Sequence, residues 1–224
     1  MSQFEIEIKS LLGSKEKAGV LRKKIKKFFP NTKLKAKNSQ LNHYFIGGNL
    51  KKLSQSLVKH LSAAKQKSLK KILTEGKNHS VRTRKLDDTV ILVVKASIDD
   101  TTSSNGISRM EFESPVSISL DELDQLLLDA NFSCQAKWSR EREEYENEGV
   151  NICIDKNAGY GYLAEFEKIV DHSDDTDEAK QSLRALMQRL DAEELQQDRL
   201  ERMFAHYNAN WSDYYGTDKI FIIE

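Results

Sequence analysis

The sequence predicts an α+β protein. Its strand-rich N-terminal part carries a sheet that closes into a barrel, with amphipathic helices outside and acidic helices after it. Three observations lead there. Several segments alternate apolar and charged residues with the two-residue period of a β-strand, beginning with FEIEIKS at 4–10. Between them lie segments with the 3.6-residue apolar stripe of a surface helix. The charged strand faces carry Glu and Arg in i, i+2 pairs, where an ordinary wet face would be rich in Thr, Ser, Gln and Lys.

Taken in order, FEIEIK is the first strand. Residues 14–29 read as a helix with Ser14 as N-cap, a stripe of Val20, Leu21, Ile25, Phe28 and Phe29, and Pro30 as its stop. QLNHYFIG (40–47) reads as a strand, and 50–73 as one long basic helix stopped by Gly76. HSVRTRKL (79–86) and DTVILVVKAS (88–97) form a hairpin turned at Asp87-Asp88. IDDTTSSNG (98–106) reads as a mobile loop and ISRMEFESPV (107–116) as another strand. Residues 119–132 read as a helix opened by a Ser119–Glu122 capping box. CQAKWSREREEY (134–145) and VNICID (150–155) pair around ENEG, and GYLAEFEKIV (161–170) is a further strand. Residues 175–207 give one or two acidic helices, and the tail is irregular with a final strand at KIFII. This divides the chain into 1–170 and a helical extension, 171–224, packed on the barrel.

Composition narrows the class. In 224 residues there is no run near the roughly 20 apolar residues of a membrane-spanning helix, and no secretory signal is visible. Cys134 and Cys153 fit no metal spacing and suit a reducing compartment. A soluble, cytoplasmic protein is expected. Net charge is zero, yet residues 1–100 hold 23 Lys and Arg against 8 Asp and Glu, while 101–224 hold 12 against 27. Such asymmetry suits an anionic partner or two balancing solvated faces.

The charged faces point to chemistry. Glu5, Glu7 and Lys9 share one face; so do Arg82 and Arg84; Arg109, Glu111 and Glu113; Arg140 and Arg142; Glu165 and Glu167. Asp155 sits opposite Ile152 and Ile154, and Lys95 ends its strand. Packed carboxylates repel one another, as do packed guanidiniums, so such a lumen makes sense when ions fill it. Glutamates suit a hard cation, Mg²⁺ or Mn²⁺. Arg and Lys suit phosphate. His43 and His79 are weaker candidates for a general base, since a lone histidine on a strand is more often structural.

These motifs together resemble the CYTH superfamily, the triphosphate tunnel metalloenzymes. Glu5-x-Glu7-x-Lys9 resembles its ExExK signature. NHYF (42–45), VRTRK (81–85), VVKAS (93–97), SRMEFE (108–113), SREREEY (139–145) and DKNAGYGYLAEFE (155–167) resemble its later strands, in the family's order. The resemblance implies an eight-stranded antiparallel barrel with a charged lumen. It implies metal held by Glu5, Glu7, Glu165 and Glu167, with Asp155, Glu111 and Glu113 assisting. Lys9, Arg82, Arg84, Lys95, Arg109, Arg140 and Arg142 grip a triphosphate, with Lys137 as the alternative basic residue to Arg140. Glu5, Glu7, Lys9, Arg82 and Arg84 form the catalytic set, and Gly159 and Gly161 the turn into the last strand.

The expected activity is metal-dependent hydrolysis of an inorganic, nucleoside or organic triphosphate. The alternatives are a class IV adenylyl cyclase, making cyclic AMP and pyrophosphate from ATP, and a non-catalytic binder of triphosphate or RNA 5′ ends. A homodimer is compatible with the family, a membrane is not expected, and nucleic acid is the less favoured partner. The lysines of 50–73 cover the tunnel mouth, attract polyanions, or are solvated over inward leucines. The tail at 211–219, with Lys219, either plugs one end of the barrel or simply packs.

Overall fold

The computed structural model describes residues 4–97, 109–171 and 175–224. In chain order the elements are β1 (Phe4–Gly13), α1 (Lys15–Phe28), β2 (Lys33–Gly47), α2 (Leu50–Ser56), α3 (Ala63–Glu75), β3 (Lys77–Leu86), β4 (Thr89–Ser97), β5 (Arg109–Val116), α4 (Leu120–Asp129), β6 (Phe132–Asn147), β7 (Val150–Asn157), β8 (Gly161–Val170), α5 (Thr176–Leu190) and α6 (Gln197–Tyr214). The eight strands form one sheet in the order β1-β8-β7-β6-β2-β3-β4-β5. The α+β class and the eight antiparallel strands hold. Among the described residues no ladder joins the end strands β1 and β5, so hydrogen bonds do not close the sheet.

The chain divides into two compact units, each with its own core. The first contains β1, α1, β7, β8, α5, α6 and residues 139–147 of β6. Ile6 and Ile8 of β1 are 1% and 2% exposed and pack with Leu21 and Ile25 of α1 and Leu183 and Met187 of α5. That burial, worth about 1.5–3 kcal/mol per large apolar side chain, turns Glu5, Glu7 and Lys9 to the opposite face. Ser14 caps α1 through the Lys17 amide.

The second unit contains residues 39–47 of β2, α2, α3, β3, β4, β5, α4 and residues 132–138 of β6. Phe45, Val81, Leu92, Val94 and Phe112 supply the sheet side of its core, and Leu53, Ile72, Leu123 and Leu127 the helix side. The Ser119–Glu122 capping box is present in full. The hairpin turn is also as read, with Asp87 at φ +49° accepting the Ser39 amide through its carboxylate.

Three segments differ from the sequence reading. The helix expected over 50–73 is two helices joined by a 3-10 turn, Val58–His60. Ser62 is extended and caps α3 through the Lys65 amide, which ends one helix and starts the next while Leu57 and Leu61 stay buried. β2 begins at Lys33, seven residues before the expected strand. The expected irregular tail, 208–224, is helical as far as Tyr214, and beyond it, among the described residues, an isolated parallel bridge of Gly159 with Ile220 replaces the expected last strand. The loop expected at 98–106, with Ile107 and Ser108, lies outside the described residues.

Candidate functional site

Each unit presents a charged sheet face. In the first, β1 runs antiparallel to β8 in a register that sets Glu7 opposite Glu167 and Lys9 opposite Glu165. Like charges directly across a ladder are destabilising. Glu5, Glu7 and Glu167, all partly buried, nevertheless bring one carboxylate oxygen each within 4.8 Å of one another. Lys9 forms an ion pair with Glu7 and reaches Glu165 at 3.9 Å.

The neighbouring strands tie up the other two acids. Arg142 of β6 faces Asp155 of β7 and donates to it from Nε at 2.7 Å and Nη2 at 2.6 Å. Arg142 also bonds Glu165, and Arg140 donates to Asp155 at 3.1 Å. Asp155 is 1% exposed. Burial alone would push the Glu165 carboxyl upward, but Arg142, Lys9 and Arg140 outweigh it and hold it far below the usual carboxylate range. Burial likewise disfavours the Arg142 charge, and Glu165 and Asp155 more than offset it. Cys153, between these groups on β7, is pushed up to about 12 by burial, so its thiol stays neutral.

In the second unit, Arg82 and Arg84 project from β3 on the face opposite Val81 and Thr83. Arg84 donates to Asn42 at 2.8 Å and to Glu113 at 2.9 Å. Lys95 meets Glu111 at 3.2 Å. The Arg82 guanidinium lies 4.9 Å from the centre of the Tyr44 ring and donates to its hydroxyl at 3.3 Å. Its Nε is buried without a hydrogen-bond partner among the described residues.

The sequence-derived acids part by whether they converge, and ion pairing does not divide them, since Lys9 also pairs with Glu7 of the converging trio. Glu5, Glu7 and Glu167 converge. Glu165, Asp155, Glu111 and Glu113 are each ion-paired to Arg or Lys. Lys137 reaches Asp124 of α4 at 3.7 Å, whereas Arg140 meets Asp155. The Arg109 side chain lies outside the described residues. His79 bonds the Ile72 carbonyl at 2.9 Å, and His43 bonds Asp124. Lys219 is exposed on the tail, where its carbonyl accepts the Gly159 amide.

The converging trio fits a hard divalent ion. Octahedral Mg²⁺ with oxygens at about 2.1 Å spaces its ligands roughly 3–4 Å apart, so small rotations of three glutamates would seat it. Oxygen-only donors suit Mg²⁺ and Mn²⁺ over softer metals.

The sequence profile of the CYTH domain matches residues 70–199, more than half of the chain. The chain belongs to the CYTH family. Members of that family are triphosphatases or adenylyl cyclases, which supports an enzyme at the family level. No curated protein sequence matches the chain. Solved structures share this fold at low identity. The PH1819 protein of Pyrococcus horikoshii is 20% identical, with a TM-score of 0.61 over 90% of this chain and 98% of that one. A Vibrio parahaemolyticus protein provisionally assigned as an adenylate cyclase is 14% identical, with a TM-score of 0.60 over 92% and 99%. The PH1012 protein of Pyrococcus horikoshii is 16% identical, with a TM-score of 0.59 over 84% and 91%. The profile begins after β1, so Glu5, Glu7 and Lys9 rest on the sequence motif and on the β1–β8 register.

Sequence reasoning did not single out Asn42, Tyr44 or Asp124. Asn42 and Tyr44 alternate with His43 and Phe45, which signals that they share the face of the arginines. Asp124 lies one turn from Leu120 and Leu127, which places it on the apolar stripe of α4. No helix among the described residues is long and apolar enough to cross a membrane.

Proposed function

We propose that this CYTH protein hydrolyses a triphosphate with Mg²⁺ or Mn²⁺ held by Glu5, Glu7 and Glu167. One observation carries the reading: Glu7 stands directly across the ladder from Glu167, with Glu5 beside them. Three crowded carboxylates repel one another, Lys9 offsets part of that charge at Glu7, and a divalent cation would stabilise the cluster further. A bound divalent ion supplies charge neutralisation at a phosphoryl oxygen.

The chain's own residues do the positioning. Phosphoryl transfer needs spread negative charge met by fixed donors and little covalent chemistry. Arg140 and Arg142 are locked by Asp155 and Glu165, so their directions are set before a substrate arrives. Lys9, paired with Glu7, holds an ammonium beside the metal seat. Arg82 offers a buried Nε donor that an oxyanion would satisfy. Arg84 and Lys95 are proposed phosphate ligands, with Glu113 and Glu111 orienting them rather than binding metal.

The test is incubation with Mg²⁺ or Mn²⁺ and tripolyphosphate, ATP or thiamine triphosphate, measuring phosphate, pyrophosphate and cyclic AMP. Phosphate release without cyclic AMP supports the hydrolase. Cyclic AMP with stoichiometric pyrophosphate overturns it in favour of the cyclase, and tight binding without turnover overturns it in favour of a binder.

A further inference from the structure

Behind the arginine strand, on the helix-covered face of the second unit, a polar cluster sits inside an apolar layer. Asp124 of α4 accepts from Thr83 Oγ1 at 2.6 Å through one oxygen and from His43 Nδ1 at 2.6 Å through the other. Lys137 approaches the second oxygen at 3.7 Å. His43 is 2% exposed and Thr83 0%, and around them Phe45, Val81, Leu123 and Leu127 are buried. A carboxylate placed here is more expensive to desolvate than a leucine, and it persists because both oxygens are satisfied.

The two donors are special in position. His43 and Thr83 are direct partners across the β2–β3 ladder. Thr83 lies between Arg82 and Arg84. His43 lies between Asn42 and Tyr44, which accept from Arg84 and Arg82 respectively. Successive strand side chains point to opposite faces, so the backbone at 83 and 43 sets the directions of all four neighbours. One carboxylate thus grips both strands at the register point from which the arginines project.

We propose that Asp124 is a positioning residue: through Thr83 and His43 it fixes the aim of Arg82 and Arg84. The consequence for catalysis rests on the triphosphatase reading; the orientation itself does not. Pure core packing predicts that Thr83→Val, nearly equal in volume, leaves the other face untouched. Positioning predicts that the arginines lose their alignment while the fold stays.

The experiment compares wild type with Thr83→Val, Thr83→Ser and Asp124→Asn. It measures tripolyphosphate hydrolysis, Tm, and the arginine side-chain Nε–H resonances, assigned with Arg82→Lys and Arg84→Lys. The expected result for Thr83→Val is a Tm within a few degrees of wild type, KM raised about tenfold, kcat reduced less, and a moved Arg84 Nε–H resonance. Thr83→Ser restores all of these. A Thr83→Val protein with wild-type KM and unmoved resonances overturns the proposal, as does a loss of Tm with neither change. Should Asp124→Asn not fold, Thr83→Val decides alone. Should the wild type hydrolyse nothing, the triphosphatase reading fails, and the resonances still decide whether the cluster aims the arginines.

Discussion

Arg142 clasps Asp155 with two parallel hydrogen bonds, at 2.7 and 2.6 Å, across neighbouring strands. Asp155 is almost wholly buried and Arg142 also holds Glu165. Removing Arg142 takes away the bidentate partner of a nearly buried carboxylate but leaves Arg140 at 3.1 Å, so the loss lies at the lower end of the about 3–5 kcal/mol typical of a broken buried pair. Arg142→Leu is therefore expected to lower Tm by roughly 10 °C in a chain of this size, read by calorimetry at pH 7. An unchanged Tm would show that the clasp is not formed in solution.

The metal seat separates from the other acids by variant. Glu7→Gln or Glu167→Gln is expected to abolish the rise in Tm that Mg²⁺ or Mn²⁺ produces and to cut turnover at least about 100-fold, the scale of lost electrostatic stabilisation. Glu111→Gln, whose native carboxylate pairs with Lys95, is expected to keep the metal-dependent rise. Chelation of the wild type should remove activity, and added Mn²⁺ should restore it.

Arg82 is expected to tolerate no lysine. Its planar guanidinium lies over Tyr44, with a buried Nε pointing to no partner among the described residues. An ammonium reproduces neither feature. Arg82→Lys should raise KM for tripolyphosphate about tenfold or more with Tm little altered; equal kinetics in wild type and variant would remove Arg82 from the site.

The pairing of Arg22 in α1 with Glu143 in β6, at 2.7 Å, gives a pH signature. Burial would raise the Glu143 carboxyl, but Arg22, Tyr145 and Lys37 together lower it. A carboxylate lowered on folding contributes stability that is present above its unfolded value, about 4.3, and is lost as pH falls through the folded one. Glu143→Gln is expected to cost about 1 kcal/mol at pH 7, roughly 2–4 °C in Tm. The gap to wild type should close as pH is lowered towards 3. A gap independent of pH would assign the loss to packing.

The turn into β8 is held shut by aromatic rings. Gly159 has φ +78°, and a Cβ there would meet Tyr207 at 2.7 Å and Phe221 at 2.9 Å. Gly159→Ala is expected to destabilise by roughly 1–3 kcal/mol and to expose the segment beyond α6 to proteolysis before the rest of the chain.

What the sequence made legible follows from the range of the forces involved. β1 was readable because one face of Ile6 and Ile8 and another of Glu5, Glu7 and Lys9 follow a two-residue period. The capping box of α4 was readable because Ser119 and Glu122 interact locally. The break at Leu57–Ser62 was not, because leucines continue the helical stripe across it and only Ser62 marks the restart. The sorting of the acids was hidden for another reason. Glu165 and Glu167 look alike in the chain, and which of them meets Arg142 depends on pairing among β6, β7 and β8. Asp124 was not singled out in the helix at 119–132, although its place on the leucine stripe was a signal.

The alternation in β1 has a consequence for how this segment tolerates insertion and deletion. Its side chains behave like a reading frame of two. One residue added between Phe4 and Lys9 would send glutamates into the core and isoleucines to the charged face, so a single slip would damage folding and chemistry together. The strand also contains the place where a slip is absorbed: the ladder with β8 skips Leu12, passing from Leu11–Leu163 to Gly13–Tyr162. Length changes in relatives of this chain should therefore gather at that irregularity and beyond, leaving the spacing from Glu5 to Lys9 untouched.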